Sequence, residues 1–258
     1  MSQRQNIYGF HAILARLKRH PETLREIYLD EARHDGRARE LTNIAESLHV
    51  RVMPVPGQRL DGMASGGRHQ GVVAAVDPLP LHRDVFELLD DLQDAPLLLV
   101  LDGVQDPHNL GACLRVADAA GVHAVIAPKD RSVGLTATVA KVASGAAETI
   151  PYFAVTNLAR TLRELKEHDV WLAGADGDAA EDIYTAELQG PLAWVMGAEG
   201  AGLRRLTRES CDLLLRIPLA GTVESLNVSV ASGICLFETR RQRLVGASAS
   251  KAQSKHSV

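Results

Sequence analysis

The sequence predicts an α/β fold in two parts: a small α/β unit, then a larger unit built on a mostly parallel sheet. Three observations predict it. Apolar strand-like runs alternate with segments of helical period along most of the chain. The run PLLLVLD at 96–102 is continuously apolar, the pattern of a strand buried on both faces. Between the two parts lies DPLPLHRD, whose Pro78 and Pro80 stiffen a connection.

In chain order, residues 9–20 carry Ile13, Leu14 and Leu17 at helical spacing, with Arg16, Lys18 and Arg19 toward the C-terminal end, where positive charge suits the helix dipole. REIYLD at 25–30 reads as a strand and RARELTNIAESLH as a helix with Leu41, Ile44, Ala45 and Leu48 on one face. Strands follow at 51–55 and 71–76, which closes a first domain at 1–76. The loop GGRHQG at 66–71 offers Arg68, His69 and Gln70 as donors beside two glycines; it fits a close approach to a ligand and also a flexible turn with solvated side chains. Residues 77–95 read as a linker containing an acidic amphipathic helix, VFELLDDLQ.

The second domain, 96–246, opens on the apolar run. Asp106-Pro107 starts a helix that presents Leu110, Cys113, Leu114 and Ala117 and stops at Gly121. Strands at 122–127, 149–155, 170–175, 192–197 and 212–217 follow, with a small-residue helix after PKDRSVG and a longer one from Asn157. Pattern alone suggests a doubly wound, Rossmann-like sheet. The tail at 247–258, small and polar, reads as disordered.

Composition narrows the class. At 258 residues, 46% hydrophobic and 23% charged, this is an ordinary globular chain. Cys113, Cys211 and Cys235 stand far apart with no CxxC pair, which argues against a disulfide framework or a zinc site. No signal-like apolar core and no run of about 18 apolar residues occurs, so a cytoplasmic protein without a membrane anchor is expected. Net charge is −4, but residues 1–76 hold eleven Arg or Lys against eight Asp or Glu, leaving that part at +3 and the remainder at −7. A basic first part is compatible with phosphate contact and also with an ordinary solvated surface.

Three segments carry chemistry. DPHNLGACLR at 106–115 supplies Asn109, Gly111 and Arg115. MGAEGAGL at 196–203 supplies Gly197, Glu199, Gly200 and Gly202, in a GxxGxG spacing that is not the GxGxxG dinucleotide fingerprint, which weighs against a nucleotide-cofactor oxidoreductase. IPLAGTVESLNVS at 217–229 sets Ser225, Leu226 and Asn227 between a strand end and a long helix, where polar loop groups meet ligands in α/β proteins; Asn227 also suits a plain N-cap.

In order and spacing these segments resemble the SpoU (TrmH-like) family of SPOUT-class RNA ribose 2'-O-methyltransferases, and within it the bacterial 23S rRNA guanosine subgroup. IYGFHAILARL and RHQGVVAAV extend the resemblance to the N-terminal part. The resemblance implies an L30e-like RNA-binding first domain, an α/β-knot second domain with a deep trefoil knot, and a homodimer. It implies S-adenosyl-L-methionine as methyl donor, bound by backbone groups of Gly197, Gly200, Ile217 and Leu226, and no metal. Arg115, Asn109, Glu199, Ser225 and Asn227 form the implied catalytic set, with 23S rRNA or a large-subunit assembly intermediate as substrate. Lys129 and Arg131 are further candidate phosphate contacts. A tRNA ribose methyltransferase of the same family and a non-catalytic RNA-binding protein retaining the fold are the alternatives.

Overall fold

The computed structural model describes residues 5–64, 67, 69–77, 84–198, 200 and 202–254. Arg68, the linker prolines Pro78 and Pro80, and Glu199 lie outside the described residues. The chain divides into two compact units, 1–81 with 144–149, and 82–143 with 150–258.

In the first unit a four-stranded sheet has the order β1 (Gln5–Tyr8), β4 (Val72–Val76), β2 (Leu24–Asp30), β3 (Arg51–Val55). Only β2 and β3 run parallel; β4 is antiparallel to both its neighbours. Helix α1 (Phe10–Arg19) and α2 (Gly36–Ser47) cover one face, burying Phe10, Ile13, Leu17, Leu41 and Ala45 against Ile27 and Ala74. Asp35 caps α2 by accepting from Arg37 and Ala38 N–H. On the other side, α3 (Gly57–Met63) buries Leu60 with Val55 and Val73. Strand β1 and helix α3 had no signal strong enough to predict: QNIY is short and half polar, and GQRLDGM carries glycine near both ends. The GGRHQG loop is braced within its described residues. The ring of His69 contacts Asp61 Oδ1 at 2.9 Å through Nε2, while Nδ1 accepts from Gly71 N–H at 3.0 Å, which puts the proton on Nε2.

The second unit is a seven-stranded sheet in the order β7 (Tyr152–Val155), β6 (Ala124–Pro128), β5 (Leu97–Asp102), β10 (Leu192–Gly197), β8 (Trp171–Ala175), β11 (Leu213–Arg216), β9 (Glu181–Asp182). Every neighbouring pair is parallel. All six residues of β5 are buried, as expected of a strand sandwiched between helices. One face packs on α4 (Val85–Asp91) and α7 (Leu158–Glu167) through Val85, Leu88, Leu158, Leu162 and Leu165. The segment read as a linker therefore contributes two core side chains, because VFELL is amphipathic enough to bury one face.

On the other face lie α5 (Pro107–Ala120) and α9 (Val228–Ser254). Trp194 of β10, fully buried, donates its indole N–H to Thr239 Oγ1 of α9 at 2.9 Å. Helix α6 (Ala137–Ala143) presses close to α5 at Gly111, where a Cβ would lie 2.6 Å from Val142 Cβ. Helix α9 runs on to Ser254, into the segment read as a disordered tail: SASKAQS contains no proline or glycine, so nothing there stops a helix already nucleated. Helix α8 (Arg205–Ser210) stands between β10 and β11 in the chain.

Helix α9 is pinned to the lower edge of the sheet by Arg243. Its guanidinium donates to the carbonyls of Ala95 (2.9 Å), Pro96 (2.8 Å) and Gly190 (2.6 Å). Burial lowers its pKa, with Asp94 opposing. Replacing Arg243 with alanine removes the charged donor from three carbonyls and is expected to cost about 1–3 kcal/mol of stability. A urea titration of wild type and variant checks it; an unchanged midpoint would show that α9 docks without this anchor.

Candidate active site

The site forms at the C-terminal ends of β5, β10, β8 and β11, the edge at which parallel α/β sheets bind ligands. Three loops leave those ends and each carries one sequence segment. The first runs from Asp102 into α5, where Asp106 caps the helix by accepting from His108 N–H and Pro107 occupies the first turn. That turn carries Asn109, half-buried.

The second loop follows β10 as a closed turn. Ala198 and Gly202 exchange backbone hydrogen bonds of 3.1 and 2.9 Å. Gly200 and Gly202 take φ of +75° and +64°, a region that L side chains rarely adopt. Gly197 is required for another reason: a Cβ there would lie 2.1 Å from the Gly202 carbonyl carbon.

The third loop leads from β11 into α9. Asn227 caps α9: its carbonyl accepts from Ala231 N–H at 2.9 Å and its Oδ1 accepts from Ser229 N–H at 2.9 Å and Ser229 Oγ at 2.7 Å. Its Nδ2 then donates to Asn109 Oδ1 at 2.8 Å. The N-terminal ends of α5 and α9 are thus locked together by two amides from segments 118 residues apart.

Gly197, Gly200, Ile217 and Leu226 line one cavity of about 560 Å³, together with Ser225. That volume suits a small organic ligand. Its apolar wall is Met196, Leu203, Leu215 and Leu219, and its polar wall is Asp176, Asp178, Arg208 and Glu224. Asp176 holds the turn after β8 by accepting from Asp178 N–H, and its other oxygen takes Arg208 Nε at 2.5 Å. That hydrogen bond raises the Arg208 pKa. Sequence reading missed Asp176, Asp178 and Arg208. Asp-Gly-Asp is a turn signal, but its place beside the glycine turn depends on β8 lying between β10 and β11.

Arg115 is exposed, with no hydrogen-bond or ion-pair partner among the described residues. It stands six positions after Asn109, about 9 Å further along the helix and about 120° round it. No hydrogen bond joins Arg115 to Asn109 or Asn227 among the described residues, so α5 offers its guanidinium outward. Ser225 is exposed on the cavity wall, and Lys129 and Arg131 are exposed in the loop after β6. Among the described residues no group of three His, Cys, Asp or Glu is placed to share a metal ion. Cys113, Cys211 and Cys235 are free thiols; burial pushes the first up to about 11 and the other two to about 12, so all stay protonated at neutral pH. No described helix is long and apolar enough to cross a membrane.

Comparison with known proteins decides the family. The model of the SpoU rRNA Methylase family matches residues 96–237, and a model for RNA 2'-O ribose methyltransferase substrate binding matches residues 6–82. The chain belongs to the SpoU rRNA methylase family. Within this family, the 23S rRNA (guanosine-2'-O-)-methyltransferase RlmB of Ralstonia nicotianae is 60% identical over 95% of this chain and 98% of its own. Among solved structures, an RNA 2'-O ribose methyltransferase matches with a TM-score of 0.67 at 27% identity, covering 94% of this chain and 90% of that one. The SpoU methyltransferase AviRb from Streptomyces viridochromogenes, in complex with AdoMet, matches with a TM-score of 0.66 over 93% and 91%. At 23% identity that likeness is one of fold. The SpoU match covers all three loops of the site, from Asp102 to Asn227.

Proposed function

We propose that this SpoU-family chain methylates the ribose 2'-hydroxyl of a guanosine in 23S rRNA, with S-adenosylmethionine as donor. The observation that carries the reading is the cavity built on the glycine turn, one wall of which continues through Leu226 into the Asn227–Asn109 lock. The 60% identical relative bearing that activity in its name supports the substrate.

The cavity residues fit this donor. S-adenosylmethionine supplies an electrophilic methyl group on a sulfonium cation. Gly197 and Gly200 let backbone amides and carbonyls approach an adenine edge, and Ile217 and Leu226 add apolar contact. Asp178 and Glu224 bring carboxylates to the same cavity, which favours a cationic ligand.

The remaining roles follow from chemistry. Arginine keeps its proton at neutral pH, so Arg115 serves as a bidentate clamp on the phosphate beside the target ribose, and the proton that the 2'-hydroxyl loses on methylation passes to solvent. Asn109 and Asn227 hold the two helix ends at a fixed spacing, and Ser225 offers a hydroxyl at the rim. Glu199 belongs to this set by its place in the family motif. The first domain, matched by the substrate-binding model, selects the RNA. The trefoil knot, with 217–227 threaded, and a cytoplasmic location belong to the same reading.

The assembly is a homodimer in this reading. On α9, Val230, Phe237 and Leu244 are 50%, 47% and 58% exposed at seven-residue spacing, opposite the buried Ser232, Cys235, Leu236 and Thr239. A heptad stripe of this kind suits a second helix, here that of a second copy. Light scattering at micromolar concentration should give twice the chain mass for wild type and the single-chain mass for Phe237→Glu. A monomeric wild type would contradict the dimer.

The function is tested with radiolabelled S-adenosylmethionine and purified 23S rRNA, 16S rRNA and tRNA, each presented alone and the rRNA also as a large-subunit precursor particle. Label confined to 23S rRNA, naked or in the particle, is expected. Label in tRNA would keep the chemistry and overturn the substrate, and no label in any RNA would overturn the activity.

A further inference from the structure

Asp102 is the last residue of β5 and is fully buried. It lies in parallel register with Gly197, the last residue of β10. Its Oδ1 accepts from Arg204 Nε at 2.6 Å and from Arg204 Nη2 as well, while Oδ2 is buried with no hydrogen-bond partner among the described residues. Arg204 stands two residues past the glycine turn and is the N-cap residue of α8. The ion pair therefore ties the exit of the turn to the strand that flanks its entrance. Asp102 also begins the loop to α5: Gly103, at φ +91°, backs onto Ala198, with 3.7 Å from an added Cβ to that of Ala198.

A buried carboxylate with one oxygen left unsatisfied is a poor device for stability. Taking the Asp102 carboxylate out of water is costly, and apolar residues of similar volume often stabilise as well or better. What the pair offers is a fixed geometry. A guanidinium gripping one oxygen with two N–H groups restrains the depth of the turn as well as its separation from β5.

We propose that Asp102 and Arg204 are positioning residues for cofactor binding: their ion pair holds the Gly197–Gly202 turn in the shape that makes one wall of the cavity. The proposal rests on the reading of that cavity as the S-adenosylmethionine site. Neither side chain is among the residues lining the cavity, so the pair acts through the turn.

The test measures S-adenosylmethionine affinity by calorimetry on the full chain, with RNA affinity, melting temperature and kcat at saturating cofactor alongside. Arg204→Ala is expected to raise the cofactor Kd at least tenfold, with RNA Kd changed less than twofold and kcat at saturation within threefold. Arg204→Lys should recover part of the affinity, since one ammonium can replace one of the two bonds. The double variant Asp102→Asn with Arg204→Ala removes the stranded buried charge. It should regain melting temperature while cofactor Kd stays raised, which a merely structural pair would not do. Wild-type cofactor affinity in Arg204→Ala would overturn the proposal alone, as would a parallel loss of RNA binding and kcat. A wild-type chain that binds no cofactor would overturn the reading of the cavity, and the proposal with it.

Discussion

Replacing Arg115 with alanine is expected to lower kcat by about 10²–10³-fold, the usual cost of removing one charge-stabilising donor from an active site. The cofactor Kd should not move, because Arg115 does not line the cavity. Arg115→Lys should recover little, because an ammonium cannot reproduce the planar fork on phosphate. The side chain is exposed on α5, so the fold should survive and the loss should read as chemistry rather than unfolding. Single-turnover methylation at saturating RNA separates the outcomes. Near-wild-type rates would remove Arg115 from the mechanism. A loss confined to RNA affinity would make it a binding residue only.

Gly197→Ala should abolish cofactor binding, with Kd raised about 100-fold or more. The added Cβ would meet the Gly202 carbonyl carbon at 2.1 Å, and the next nearest atoms, Gly202 O and Leu203 N at 2.2 and 2.4 Å, are also backbone. No flexible side chain can yield there, so the turn must open and take a cavity wall with it. A hundredfold change corresponds to about 2.7 kcal/mol, modest beside what sub-van-der-Waals backbone contacts impose. Gly177→Ala is the control: it lines the same cavity, with no atom within 4 Å of an added Cβ. Calorimetry on both variants decides it. Equal affinities would show that the turn relaxes at no cost.

Much of the frame was legible because local physics decides it. Five successive apolar residues in β5 and the Asp106-Pro107 start of α5 each pointed to one structure. Other features depended on pairing across long separations. QNIY becomes a strand because β4 offers it an edge, and VFELLDD becomes core because β5 and β6 face it. Nothing in either segment states which partner arrives.

The site divides the same way. Residue types and spacing singled out Asn109 and Asn227, but not that Nδ2 of one meets Oδ1 of the other. The Asp176–Arg208 wall and the Asp102–Arg204 pair escaped notice because each joins distant strands and loops by sheet order.

In the proposed reaction a methyl group is placed on one ribose oxygen. The most direct measurement digests 23S rRNA after reaction with isotopically labelled S-adenosylmethionine and identifies the labelled nucleoside by mass spectrometry. Label in 2'-O-methylguanosine at a single position, absent with Arg115→Ala, is the predicted result. Label on a base, or on the ribose of another nucleoside, would contradict it.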